Sequence, residues 1–147
     1  MANMSLVTID KLPDFAKSFS KNLKSGDVVS LSGNLGTGKT TFLRALMTVL
    51  GMRGNQGFSS PTFTILNQYH LKNYLVNHFD LYRLHQFSEF KNLDFIAFFH
   101  EPKAITFIEW GDKFGELESY FTKKIHFEYT QTPDARQISV MTVCKKP

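Results

Sequence analysis

An α/β fold with a central mixed, mainly parallel sheet and antiparallel additions is the architecture this chain predicts, and three observations carry it. The short apolar run Asp27-Val28-Val29-Ser30-Leu31-Ser32 leads directly into Gly33-Asn34-Leu35-Gly36-Thr37-Gly38-Lys39-Thr40. Residues 41–50 then place Phe42, Leu43, Leu46 and Leu50 on one helical stripe, closed by Gly51. Ala104-Ile105-Thr106-Phe107-Ile108 is a nearly continuous apolar run, the mark of a strand buried on both faces of a parallel sheet. Strand, G-x-x-x-x-G-K-[ST] loop and helix in this order make a phosphate cradle. The expected architecture is therefore a three-layer fold of the P-loop NTPase type, one domain over residues 1–147.

The remaining elements follow from period and punctuation. Ser5 to Ile9 reads as an edge strand. Asp10 offers an N-cap and Pro13 an early helical position, and Phe15, Phe19 and Leu23 recur on one buried face until Gly26. Met52 to Ser60 is a Gly-rich loop. Phe63 to Tyr69 and Tyr74 to Leu81 alternate around a four-residue bridge, which predicts an antiparallel hairpin. In the second of these, Leu75, Phe79 and Leu81 share a face interrupted by Asn77. Ser88 is the expected cap of one helix carrying Phe90, Leu93, Phe95, Ile96 and Phe98, ended by Pro102. Lys124 to Thr130 and Gln137 to Val143 form a last hairpin, with Pro133-Asp134 as turn chemistry.

Composition narrows the function classes. A chain of 147 residues buries roughly 68–70% of its unfolded surface, enough for a real core. The 15 phenylalanines are expected mostly inside, with a few left for a partner-binding patch. No run of about 18 apolar residues occurs and residues 1–5 lack signal-peptide character, so a cytoplasmic protein with no membrane association is expected. Cys144 is the single cysteine, which excludes an intrachain disulfide and a cysteine-based zinc cluster. The net charge of +4 permits tRNA or another polyanion as a partner but equally suits a surface tuned for solubility.

The chemistry centres on the loop. Its glycines let the backbone turn successive N–H groups toward an anion, and the helix N-terminus adds positive potential there. Gly33, Asn34, Leu35, Gly36, Thr37, Gly38, Lys39, Thr40 and Thr41 are the expected nucleotide-binding residues. Lys39 reaches the β- and γ-phosphates and the Thr40 hydroxyl ligates a bridging Mg²⁺. Glu109 ends the apolar strand at 105–108, where ligands of open α/β sheets bind, so it is the expected Mg²⁺ and water-orienting acid. In His78-Phe79-Asp80-Leu81-Tyr82-Arg83-Leu84, alternation puts His78, Asp80 and Tyr82 on one face, and Asp80 is the second expected Mg²⁺ or water ligand. His78 by itself reads more readily as a hydrogen-bonded structural histidine, and Arg83 as a phosphate contact or a carboxylate partner in equal measure. Thr62, within Ser59-Ser60-Pro61-Thr62-Phe63, stands where a γ-phosphate sensor or an ordinary turn would. Trp110 is compatible with adenine stacking, a partner contact or core. No Asn-Lys-x-Asp segment is present, which favours ATP over GTP.

Four segments in this order resemble the TsaE (YjeE) family of small ATPases: Leu35-Gly36-Thr37-Gly38-Lys39-Thr40-Thr41-Phe42, Ser60-Pro61-Thr62-Phe63, His78-Phe79-Asp80-Leu81-Tyr82-Arg83-Leu84 and Ile108-Glu109-Trp110. The loop alone is shared by many families; the second and third segments are far more specific. The resemblance runs from about Ile9 to Trp110. It departs at Asn34, usually acidic, at Thr37, usually a smaller Ala, and at Gly111, often Pro, and none of these removes a phosphate or magnesium ligand. The resemblance implies Mg²⁺-ATP (and ADP) as cofactor, Lys39, Asp80 and Glu109 as catalytic residues, Thr62 as a nucleotide contact, and slow hydrolysis by the isolated protein. It also implies work with the TsaB–TsaD threonylcarbamoyl transferase on the adenosine beside the tRNA anticodon, with tRNA contacted indirectly and no DNA bound. Two other readings share the loop: a nucleotide-gated binding module with incidental hydrolysis, and a small-molecule kinase, which would need an acceptor pocket and a lid that the sequence does not display.

Overall fold

The computed structural model describes residues 2–54, 57–59, 61 and 64–143. Seven strands form one sheet: β1 (Ala2–Thr8), β2 (Val28–Ser32), β3 (Leu66–His70), β4 (Leu75–Asp80), β5 (Ala104–Glu109), β6 (Lys123–Tyr129) and β7 (Ala135–Thr142). Their order is β1-β7-β6-β2-β5-β4-β3. The four central strands β6, β2, β5 and β4 run parallel, and β3 on one side and β7 with β1 on the other add antiparallel edges. This is the mixed, mainly parallel centre with antiparallel additions that the apolar runs predict.

Helices α1 (Leu12–Ser20) and α2 (Lys39–Val49) cover one face, and α3 (Phe87–Lys91) and α4 (Phe95–Phe99) cover the other, so the molecule has three layers. The first core layer packs Phe42, Leu43, Leu46 and Met47 of α2 onto Val29, Leu31, Ile105, Phe107 and Phe127. The second packs Phe79, Ile108 and Val28 against Phe90, Phe95 and Phe99. The high phenylalanine content is thereby divided into two aromatic clusters, one per face. One contains Phe15, Phe19, Phe42 and Phe127; the other contains Phe79, Phe87, Phe90, Phe95 and Phe99. No phenylalanine among the described residues is fully exposed; Phe15, Phe58, Phe87 and Phe98 are half-buried.

Several local expectations are corrected. Asp10 is not the N-cap of α1: a 3-10 turn (Ile9–Lys11) precedes the helix, and Asp10 accepts a hydrogen bond from the Thr8 hydroxyl instead. Leu50 is only half-buried, and Met47 takes the inward position that spacing had given it. The single helix expected after Ser88 is two short ones, broken at Asp94 with φ of 53°. The break has a packing cause. Residues five apart on one helix project about 140° apart, whereas here the rings of Phe90 and Phe95 stack at 4.6 Å inside one cluster. The cap of α3 is also different: the Glu89 carboxylate reaches back to the amides of His85 and Gln86, both at 2.9 Å. Those two bonds hold the Glu89 carboxyl below its ordinary pKa. Strand β3 begins at Leu66, not Phe63, because Ile65 turns with φ of 71°.

Asn77, which breaks the apolar alternation of β4, is fully buried and satisfied. It accepts from Gln68 Nε2 at 2.8 Å and donates to the Phe98 carbonyl at 2.9 Å and to Thr106 Oγ1 at 3.3 Å. Asp27 and Lys123 form a second buried polar group at the N-terminal ends of β2 and β6, with N–O 3.0 Å and added bonds from Thr122 Oγ1 and the Lys24 amide. Removing one partner of such a pair strands the other charge. Lys123→Met is expected to lower stability by about 3–5 kcal/mol in urea unfolding, with the phosphate-loop end of the molecule unaffected.

Candidate active site

The site is built where three parallel strands end together. β2 runs into the loop Gly33–Gly38, which delivers the chain to the N-terminus of α2 at Lys39. Gly33, with φ of 134°, packs so closely that an added Cβ would strike the Phe127 carbonyl oxygen. Gly36, with φ of 76°, has the Tyr129 hydroxyl where a Cβ would stand 2.7 Å away, and that hydroxyl donates to the Leu35 carbonyl. The loop is thus clamped from β6. Thr37 tightens it from within, its hydroxyl donating to the Asn34 carbonyl at 2.6 Å. The first-turn amides of α2 have no partners within the helix, and Gly38, Lys39, Thr40 and Thr41 line a cavity of about 370 Å³.

The opposite wall of that cavity is supplied by the neighbouring strands. The register pairs Asp80 of β4 with Glu109 of β5, so both acids finish at the same level and both line the cavity. Glu109 is buried and engaged at both oxygens: Oε1 accepts from the Thr40 hydroxyl at 3.1 Å, and Oε2 lies 2.6 Å from His78 Nε2. Asp80 Oδ1 accepts the Tyr82 amide at 3.0 Å. Lys39 is buried, donates to the Gly33 and Asn34 carbonyls, and stands 4.2 Å from the centre of the Trp110 ring. Burial pushes the Lys39 ammonium below its ordinary pKa, while the carboxylates of Glu109, Asp80 and Asp112 pull it back up.

Most expected site residues therefore converge. Leu35, Gly36, Thr37, Gly38, Lys39, Thr40, Thr41, Asp80 and Glu109 all line the one cavity. Gly33 and Asn34 sit at the loop entrance and bind Lys39 through their carbonyls. Thr62 lies outside the described residues. Arg83 is exposed and does not line the cavity. Trp110, with φ of 60°, is half-buried against the second core cluster and also lines the cavity, where its ring centre lies 5.2 Å from that of Tyr82. Sequence spacing missed the Tyr129 clamp and the His78–Glu109 contact, because both join residues that only strand register brings together.

The donor set of Thr40 hydroxyl, Asp80 carboxylate and Glu109 carboxylate is all hard oxygen, which fits Mg²⁺. No group of three or more His, Cys, Asp and Glu among the described residues converges as a metal cage. An ion here would therefore take ligands from phosphate and water as well, as Mg²⁺ ordinarily does. No helix among the described residues is long and apolar enough to cross a membrane.

Comparison with known proteins identifies the family. Residues 6–138 match the family model described as threonylcarbamoyl adenosine biosynthesis protein TsaE. The chain belongs to the TsaE family. Proteins named tRNA threonylcarbamoyladenosine biosynthesis protein TsaE from Borreliella burgdorferi and Aquifex aeolicus are 38% and 36% identical, over 68% and 67% of this chain and 71% and 68% of their own lengths. The protein of that name from Haemophilus influenzae is 35% identical over 67% of this chain and 64% of its own length. The crystal structure of Bacillus subtilis YdiB superposes with a TM-score of 0.66 at 25% identity, covering 98% of this chain and 88% of that one. The TsaE match extends past Trp110 into β7, beyond the reach of the signature segments.

The loop geometry yields a graded expectation. Gly33→Ala combines a left-handed φ with a backbone obstacle and should cost about 2 kcal/mol or more. Gly36→Ala meets only the tip of Tyr129, which can swing aside, and should cost about 1 kcal/mol. Urea unfolding of the two variants checks the order.

Proposed function

We propose that this TsaE-family chain is an ATPase that binds Mg²⁺-ATP in the 370 Å³ cavity and hydrolyses it slowly, in support of threonylcarbamoyladenosine formation in tRNA. The observation that carries the reading is the Thr40–Glu109 hydrogen bond. The hydroxyl proton points at the carboxylate, so the oxygen lone pairs are left for a cation in the cavity. Mg²⁺ held by the Thr40 hydroxyl and the Asp80 and Glu109 carboxylates would supply charge neutralisation at the phosphates. The protein's own groups do the rest. Amides at the start of α2 would receive phosphate oxygens, Lys39 would provide a cation at the terminal phosphates, and Glu109 and Asp80 would hold the ion and orient the attacking water. The apolar cavity of about 120 Å³ beyond Gly38, lined by Ile9, Leu12, Thr41 and Arg136, is suited to the base. Membership of the TsaE family supports TsaB and TsaD as the working partners, with tRNA contacted indirectly.

Three measurements test this. Glu109→Gln should keep ATP binding and lose at least tenfold in phosphate release, and unchanged turnover would sink the assignment. Depletion of the protein should remove threonylcarbamoyladenosine from bulk tRNA, with wild type but not Lys39→Ala restoring it. Transfer of labelled γ-phosphate to a metabolite, instead of its release, would indicate a kinase.

The pH dependence has a definite sign. The folded pKa of Lys39 is depressed, so its positive charge is lost at a lower pH than that of an ordinary lysine. ATP affinity should therefore hold at neutral pH and weaken on the alkaline side before pH 10.5, the ordinary lysine value. Binding titrations across that range check it.

A further inference from the structure

The ATPase reading uses Glu109 and Asp80 and leaves His78 unexplained. His78 sits inside β4, only 1% exposed, where a polar ring is costly unless it is paired. One nitrogen, Nε2, lies 2.6 Å from Glu109 Oε2, while Nδ1 has no partner among the described residues. A single tautomer suits both facts. With the proton on Nε2, the ring donates to the carboxylate, and only a bare lone pair is left buried. With the proton on Nδ1, a lone pair would face the carboxylate and a buried N–H would be orphaned, the more costly arrangement. The plane of the ring is fixed as well. Phe58 stacks on it at an interplanar angle of 4°, ring centres 5.7 Å apart. Phe58 is held in turn by Tyr69, and the adjacent Ser59 by Tyr69 and Asn67.

We infer that His78 is a positioning residue for Glu109. Its Nε2–H holds Oε2, which leaves Oε1 aimed at the Thr40 hydroxyl and the carboxylate plane turned to the cavity. Without it, the Glu109 carboxylate keeps one hydrogen bond instead of two and gains rotational freedom within the site. Groups that orient a ligating carboxylate typically change activity by about 10- to 100-fold when removed. The catalytic consequence rests on the ATPase reading; the tautomer and the carboxylate contact do not.

The full chain labelled with ¹⁵N-histidine separates the two. Ring-nitrogen NMR should show His78 in the Nε2–H form, assigned by the loss of its signals in His78→Gln, and Glu109→Gln should shift the Nε2 resonance. An Nδ1–H ring, or a His78 signal indifferent to Glu109→Gln, overturns the inference whether or not ATP is hydrolysed. In turnover assays, His78→Ala should lower kcat about 10- to 100-fold while the dissociation constant for Mg²⁺-ATP moves less than threefold. His78→Gln carries an amide donor near the Nε2 position and should recover most of the loss. Equal turnover in wild type and His78→Ala, or a folded His78→Gln no better than Ala, overturns it. If His78→Ala fails to fold, the NMR arm on Glu109→Gln still decides. A wild-type protein that hydrolyses no ATP counts against the ATPase reading alone.

Discussion

Parallel pairing of β2, β5 and β4 is the constraint on which the site depends. It fixes three chain ends at one edge of the sheet: the loop after Ser32, Glu109 and Asp80. A shift of one residue between β4 and β5 would turn Asp80 to the opposite face and part His78 from Glu109. The fully buried, apolar character of both strands prevents that slip, because each is locked by the two core layers at once. The geometry of the site is in this sense a by-product of core packing, which is why buried residues outside the cavity, such as Phe79 and Ile105, belong to its explanation.

Buried polar side chains in β4 and β5 are each engaged by a specific partner, and the partners form two separate sets. Asn77, Thr106 and Gln68 tie β3, β4, β5 and the end of α4 on one face. Thr40, Glu109 and His78 tie α2, β5 and β4 on the other. A half-satisfied buried network is worse than an apolar one. The second set leaves only the Nδ1 of His78 unpartnered among the described residues, a single acceptor rather than a charge or a donor. The site therefore keeps two acids and a lysine in the interior with little unpaired polarity.

What could be read from the sequence follows the range of the interactions. The phosphate loop, α2 and the buried strand β5 are local patterns of spacing and punctuation, and each was legible. So was Glu109, since the end of a parallel strand is a defined place in such a sheet. The contacts between Tyr129 and the loop and between His78 and Glu109 span 94 and 31 residues, and no spacing rule reaches that far. The split of α3 from α4 was missed for a related reason. Helical periodicity reports one stripe, but burying both Phe90 and Phe95 against one sheet required a turn at Asp94, a tertiary demand that outweighed local propensity. Asn77 looked like an interruption of β4 because its three partners lie on β3, on β5 and at Phe98.

The same inventory bears on why hydrolysis by the isolated chain would be slow. Among the described residues lining the cavity, Lys39 is the sole cation, and its charge is shared with the Gly33 and Asn34 carbonyls and the Trp110 face. Burial further weakens its hold on a proton. Two carboxylates face that one ammonium, so the wall favours a metal ion more than it favours the spread charge of a transferring phosphoryl group. In phosphate-loop enzymes an added arginine is worth about 10³–10⁵ in rate. Arg83, the nearest arginine by motif, does not line the cavity. A second cation brought by a partner, or a rearrangement that turns Arg83 inward, would complete the electrostatics. The first route would make turnover depend on docking, as the proposed work with a larger transferase requires.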